Sequence, residues 1–253
     1  MKIKSLNKDK KNPLFISIEG NIGSGKSTFL KKIFTDIKCP ILPEPTDKWQ
    51  NTSGANILEA FYKDTKRWAY SFQSYAFLTR IQSLEKMIHL EETINYGYFL
   101  SERYVFADRY VFAKTCFDLG LINQLEWNIY LEWYSWMMNK DIPIPSGFIY
   151  LKTSPEKAFE RINERRRSEE TGITIDYINL IHNNHEKWLI HKKELDTKFI
   201  EIPILIIDCD EDFEHNNKQW NILLEKTEKF IDKCSVFSMK EGINRNGTYR
   251  NCC

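Results

Sequence analysis

With 253 residues, the chain suits one large domain or two small ones; no Pro/Gly/Ser-rich linker divides its middle, so one is expected. Lys plus Arg number 36 against 35 Asp plus Glu, a net charge of +1, which argues against a general binder of polymeric nucleic acid, since that needs a basic excess. The six cysteines at 39, 116, 209, 234, 252 and 253 lack metal-ligand spacing and suit a reducing compartment, and no apolar run reaches the length of a membrane span, so a cytoplasmic chain without a membrane partner is expected.

Residues 1–12 are Lys-rich without the apolar stretch of a signal sequence and read as a flexible segment. Leu14-Phe15-Ile16-Ser17-Ile18 reads as a short buried strand. The next stretch, Gly20-Asn21-Ile22-Gly23-Ser24-Gly25-Lys26-Ser27, has the form G-x-x-x-x-G-K-S of a phosphate-binding loop. Thr28 to Ile37 reads as the helix behind it, with Phe29, Leu30, Ile33, Phe34 and Ile37 at helical spacing. The glycines let backbone amides approach phosphate oxygens, and the helix N-terminus adds partial positive charge. Lys26 can reach the outer phosphates and Ser27 can hold Mg²⁺.

Pro40 to Pro45 reads as a very short strand, because proline donates nothing to a ladder. That puts Glu44 at a strand's carboxyl end, where open α/β sheets bind ligands. Asn56 to Tyr62 is expected as a helix, broken at Lys63-Asp64-Thr65 and followed by a long helix from Arg67 to Glu92. On the latter, Gln73, Ala76, Phe77 and Arg80 share a face. The mixture is poor for a core stripe and suits either a ligand face, where an amide and an aromatic grip a heteroaromatic ring, or an exposed or subunit-facing surface. Tyr96 to Leu100 is the next strand. Glu102, Arg103, Asp108 and Arg109 follow its end; they can hold Mg²⁺ and phosphates or form surface salt bridges.

Asn123 to Asn139 reads as a helix apolar nearly all round, hence buried on several sides, as core alone or as core plus subunit interface. Gly147 to Leu151 is another strand, and Ser154-Pro155 starts a helix. It ends in Arg161, Arg165, Arg166 and Arg167, either a solvated helix end or a basic lid over phosphates. Ile175 to Lys193 is amphipathic, with His182, His185 and His191 read as structural. Ile202 to Asp208 is the last strand, apolar enough to be buried. A helix from Trp220 to Cys234 precedes a polar tail, 235–253, read as frayed; its terminal Cys252-Cys253 lacks the C-a-a-X form of a prenylation signal. The alternation implies an α/β fold with a five-stranded parallel sheet flanked by helices.

Taken together, the loop Gly20–Thr28, Pro43-Glu44-Pro45, Trp49, the segment Asn56–Tyr62, Arg67 through Arg80, Glu102-Arg103, Asp108 to Phe112, Glu126-Trp127, Arg161–Glu170 and Asn184 to Leu189 resemble the deoxynucleoside kinases of the deoxycytidine/deoxyguanosine kinase group. The likeness spans about residues 13–232, with 13–234 as the domain. It implies a P-loop kinase fold with a basic lid, and transfer of a phosphoryl group from ATP or another triphosphate to a deoxynucleoside, with Mg²⁺, in a homodimer. By resemblance, Glu44 is the general base for the 5′-hydroxyl and Glu102 the Mg²⁺-linked carboxylate. Arg103 lies near the 5′-oxygen, although Tyr104 stands where the family often has Ser. Tyr62 and Glu170 bind the sugar 3′-hydroxyl, and Arg161, Arg165 and Arg167 cover the donor phosphates. Asp212 and Phe213 meet the donor base. Gln73 reads the acceptor base between walls made by Trp49, Leu58, Phe72 and Phe112. Ala76, Arg80 and Asp108 resemble the triplet of the deoxycytidine-preferring type, which implies deoxycytidine and purine deoxynucleosides over thymidine. A nucleoside monophosphate kinase would not need a base such as Glu44, and a silent assembly subunit would not need an intact Gly25-Lys26-Ser27 with Glu44 and Glu102.

Overall fold

The structure, a computed structural model, describes residues 13–140, 142–193, 195–196 and 199–240. The N-terminal segment 1–12 and the stretch 241–253, with Cys252-Cys253, lie outside the described residues.

Strand β1 (Leu14–Glu19) leads through the phosphate loop into α1 (Lys26–Ile37). After β2 (Ile41–Leu42) come α2 (Thr46–Gln50), α3 (Ile57–Lys63), α4 (Thr65–Ile88) and α5 (Glu91–Tyr96). Strand β3 (Tyr98–Glu102) precedes the short α6 (Val105–Ala107), a π-helical turn (Asp108–Phe112), α7 (Ala113–Asp118) and α8 (Gln124–Met138). Strand β4 (Gly147–Lys152) is followed by α9 (Pro155–Arg165), a 3₁₀ turn (Ser168–Glu170) and α10 (Ile175–His185) with a π-helical extension (Glu186–Ile190). Strand β5 (Ile204–Asp208) and α11 (Asn217–Lys240) complete the order.

The strands form one parallel sheet in the order β2-β3-β1-β4-β5. Alternation along β1 divides the core. Leu14, Ile16 and Ile18 pack with Phe29, Leu30 and Ile33 of α1 on one face. Phe15 stacks on Phe99 at 5.1 Å on the other, in a cluster that includes Phe106, Phe148 and Trp188. A third cluster, around Trp49, Phe61, Phe72, Trp127 and Tyr130, joins α2, α3, α4 and α8. The sheet order decides where chemistry can occur. Because β2, β3 and β1 are neighbours, their carboxyl ends bring Glu44, Glu102-Arg103 and the phosphate loop to one edge, as Ile18↔Glu102 and Leu42↔Ser101 register shows.

Side-chain caps mark the starts of several helices. Asn56 accepts from the Glu59 amide at 2.8 Å, Asp64 from that of Arg67 at 3.1 Å, and Asn123 forms a capping box with Glu126. The Asp64 cap is the break expected between the two helices.

Five expectations need correction. The helix expected to reach Glu92 ends at Ile88; Leu90 is extended and Glu91-Glu92 open α5, where acidic residues suit the N-terminal dipole. Gly97, at φ 89°, caps α5 and moves β3 two residues on, so that Glu102 is the strand's last residue. Strand β5 is half-exposed, with Ile206 at 47%, because it is the sheet's edge. Helix α8 buries only Trp127 and Tyr130, while Leu125, Ile129, Trp133 and Trp136 face outward. Finally, α11 runs to Lys240, so 235–240 continue the helix instead of fraying, its buried residues including Ser235 and Ser238.

Candidate active site

The phosphate loop begins where β1 ends. Gly23 has φ 79°, and a Cβ there would stand 2.3 Å from the Ala158 carbonyl oxygen of α9. Gly25, at φ 87°, is the N-cap of α1 and lies against Phe213. Neither position admits a side chain without moving its neighbour. Lys26 is buried and donates to the Asn21 and Gly20 carbonyls at 2.7 and 3.2 Å. Burial, with Arg103 nearby, lowers its pKa to about 7; a polyanion in the loop reverses that balance by favouring the ammonium form. Asn21 ties the loop to α10 by donating to the Ile178 carbonyl at 3.0 Å, and Ser24 is fully buried behind it.

Ser27, in the first turn of α1, donates to both Glu102 oxygens at 3.0 and 3.2 Å. A hydroxyl and a carboxylate in contact, beside a phosphate loop, form a hard oxygen donor set of the kind Mg²⁺ takes, with the rest of its shell supplied by water and phosphate. Among the described residues no group of three His, Cys, Asp or Glu forms a metal cage, and Mg²⁺ ordinarily does without one.

Glu44 sits between two arginines. Arg103 Nη1 donates to its two oxygens at 2.9 and 2.8 Å, and Arg80 Nη2 donates to Oε1 at 3.0 Å. Burial alone would raise the Glu44 pKa, but Arg103, Arg80 and Lys26 outweigh it and hold the carboxyl at about 2. Arg80 is also forked onto Asp108, with Nε to Oδ2 at 2.9 Å and Nη2 to Oδ1 at 3.2 Å. Burial opposes the Arg80 charge, yet Asp108 and Glu44 prevail and keep its pKa above the ordinary value. Arg103 has a left-handed backbone, φ 61°, and lies 4.8 Å over the Phe112 ring. Tyr104, which follows, buries a hydroxyl that finds no partner among the described residues.

These groups open on one cavity of about 420 Å³. Its lining joins Lys26, Ser27 and Glu102 to Glu44 and Arg103, and includes Trp49, Leu58, Phe72, Gln73, Ala76, Arg80, Asp108 and Phe112. A second cavity, across the loop, is lined by Thr28, Arg161, Arg165, Asp212 and Phe213.

A family model, deoxynucleoside kinase, matches residues 16–232. The chain belongs to the deoxynucleoside kinase family. It is 44% identical over 222 residues to a probable deoxycytidine kinase of fowlpox virus (strain NVSL), covering 87% of this chain and 89% of that one. It is 36% identical over 241 residues to the deoxycytidine kinase of Homo sapiens (85% and 90%), and 34% identical over 241 residues to a mitochondrial deoxyguanosine kinase of Xenopus laevis (85% and 89%). The protein is therefore a nucleoside kinase, an enzyme of phosphoryl transfer with the P-loop fold.

Within this kinase the structure gathers most of the expected residues, with three adjustments. Phe77, expected beside Gln73, packs into the core against Tyr130 and Tyr134; at 100° per residue it lies about 60° further round α4 than Arg80. Phe213 is buried against Phe29 and Trp220 and backs the second cavity with little ring surface exposed, while Asp212 is exposed and bonded to His215. Glu170 is engaged by the basic segment itself: Arg165 donates to it at 2.8 and 2.6 Å and Arg167 at 3.5 Å. Arg161 donates to the Asp210 carbonyl at 3.3 Å. Reasoning from sequence missed Phe61 and Tyr177, which also line the first cavity. Phe61 was findable, since Leu58, Phe61 and Tyr62 share a face of α3. Tyr177 reaches the cavity only through the packing of α10, for which no local pattern exists.

Proposed function

We propose that this kinase transfers the γ-phosphate of ATP to the 5′-hydroxyl of a deoxynucleoside in nucleotide salvage, with deoxycytidine and purine deoxynucleosides preferred over thymidine. The observation that carries the reading is Glu44: an ionised carboxylate fixed by Arg103 and Arg80 between the phosphate loop and an aromatic-walled cavity. Placed there, Glu44 takes the hydroxyl proton as the bond to phosphorus forms. Arg103, held by Glu44 and the Gly20 carbonyl at 3.1 Å, neutralises charge near the reacting oxygen. Gly20 to Thr28 cradle the donor phosphates, and Lys26 with Arg161, Arg165 and Arg167 supplies positive charge over them. Ser27 and Glu102 would hold Mg²⁺, which when bound neutralises phosphate charge.

In the acceptor half, Gln73 presents an amide to the base edge, and Trp49, Leu58, Phe72 and Phe112 enclose ring and sugar. Tyr62 and Glu170 take the 3′-hydroxyl, and this pair leaves a 2′-hydroxyl without an obvious partner in this set of residues. Ala76 leaves room, and the Arg80–Asp108 pair offers a donor and an acceptor to an exocyclic group. A thymine methyl would meet this charged pair where it needs an apolar wall. Asp212 and Phe213 border the donor base. Initial rates with the four natural deoxynucleosides, each with ATP and a second triphosphate, test the reading. Deoxycytidine is expected to exceed thymidine in kcat/KM, with no turnover of the monophosphates. Thymidine ranking first would refute the base-pocket argument, and turnover of a monophosphate alone would move the protein to another kinase class.

The outward face of α8 supports a homodimer. Leu125 at 69%, Trp133 at 56% and Trp136 at 53% exposure, with Ile129 between them, make one helical stripe too apolar to leave in water. Trp133→Glu is expected to give a monomer in analytical ultracentrifugation; an unchanged dimer would assign the contact to another face. A cytoplasmic setting fits Cys39, Cys116, Cys209 and Cys234, all buried free thiols, and no described helix is long and apolar enough to cross a membrane.

A further inference from the structure

Glu19, the last residue of β1, is fully buried. Its Oε1 accepts from Ser17 Oγ at 2.6 Å and from the Tyr104 backbone amide at 2.9 Å. Oε2 has no hydrogen-bond partner among the described residues. A carboxyl group in such a place is costly to bury, and burial, against the opposing pull of Ser17 and Arg103, pushes its pKa up to about 7. An apolar residue would fill the strand end at less cost, so the acceptor oxygen itself must be what the position requires.

The amide it holds belongs to the residue after Arg103. Arg103 is in the left-handed region, at φ 61°, which a side-chain-bearing residue seldom adopts and which, at a buried position, its surroundings must hold. Two bonds from β1 do so. The Arg103 amide donates to the Ile18 carbonyl at 3.0 Å, and the Tyr104 amide donates to Glu19. The turn is thus clamped on both sides of the strained residue, and its guanidinium leaves in the direction of Glu44.

We propose that Glu19 is a positioning residue for phosphoryl transfer: by accepting from the Tyr104 amide it fixes the left-handed turn at Arg103 and so aims the guanidinium at Glu44. The proposal rests on the reading of Arg103 and Glu44 as part of the reacting centre. Glu19 itself touches no reacting atom, so its effect must pass through Arg103.

Steady-state kinetics of Glu19→Leu, Glu19→Gln and Arg103→Met, with the double variant Glu19→Leu/Arg103→Met, test it. Glu19→Leu removes the acceptor and is expected to lower kcat by about 10²-fold, the scale of an ångström of misplacement, with the KM for the deoxynucleoside nearly unchanged. Glu19→Gln keeps an acceptor oxygen and is expected to restore kcat. In the Arg103→Met background, Glu19→Leu is expected to cost nothing further, because no guanidinium remains to be aimed. The proposal is overturned by an unchanged kcat in Glu19→Leu, by the same loss in both backgrounds, or by a Glu19→Gln variant as impaired as Glu19→Leu. If Glu19→Leu does not fold, Glu19→Asp takes its place. Its shortened carboxylate falls back from the Tyr104 amide, and the loss must again vanish in the Arg103→Met background. Arg103→Met alone separates the two levels. Full activity there removes the reading of the reacting centre and the proposal with it, whereas a loss there with no effect of Glu19→Leu removes the proposal alone.

Discussion

Replacing Glu44 by Gln is expected to lower kcat by about 10²–10⁴-fold, the usual range for loss of a general base. The substitution is close to isosteric, so the cavity keeps its shape while the charge is lost. With the carboxyl at about 2, Glu44 carries its charge throughout the physiological range. It is therefore a weak base that is always in its basic form, suited to a step in which the proton leaves only as the phosphoryl group arrives. The corresponding pH profile of kcat/KM should show no acidic limb from Glu44 between pH 5 and 8. Arg80 and Arg103 lose a charged partner in this variant, so thermal unfolding must be measured alongside. Undiminished turnover in a folded Glu44→Gln protein would remove Glu44 from the reaction.

The second large effect is expected at Lys26. Lys26→Met keeps most of the unbranched apolar stem and deletes the ammonium group, and kcat should fall by about 10²–10³-fold, as when one preorganised donor to a transition state is removed. Stability should move the other way or little. Burial is the largest influence on Lys26 and disfavours its ammonium, so an apolar chain relieves a desolvation cost. A variant that unfolds at the same or higher temperature yet turns over slowly would identify Lys26 as a group kept for chemistry. Equal kcat in the two proteins would contradict that.

Local patterns carried most of the fold. The loop from Gly20 to Ser27, flanked by an apolar strand and a helical repeat, is read within about thirty residues, and the prolines at 40, 43 and 45 explain why β2 has only two residues. What was not legible depends on neighbours distant in sequence. An apolar repeat such as that of α8 reads the same whether core or a second subunit covers it. Strand β5 is as apolar as a central strand, and only the sheet order reveals it as an edge. The site divides likewise. Glu44 and Glu102 stood out because strand ends face ligands, whereas a lone Glu before a phosphate loop gives no hint that Glu19 grips a turn 85 residues away. The bond of Arg165 to Glu170, five residues apart, falls outside the i,i+3 and i,i+4 spacings of a helix and depends on the chain leaving α9 for the 3₁₀ turn that carries Glu170.

The placement of β1 in mid-sheet has a consequence for how the enzyme comes into being. Its two partners are β3 and β4, both far along the chain, and Arg103 meets the Gly20 carbonyl across 83 residues. Closing such a loop must precede any reward from the contacts it permits. An N-terminal fragment that carries the whole phosphate loop and Glu44 therefore lacks the strand on which both depend for their spacing. During synthesis the proposed reacting centre has no partial form: β3 must emerge and slot between β2 and β1 before Glu44 meets Arg103.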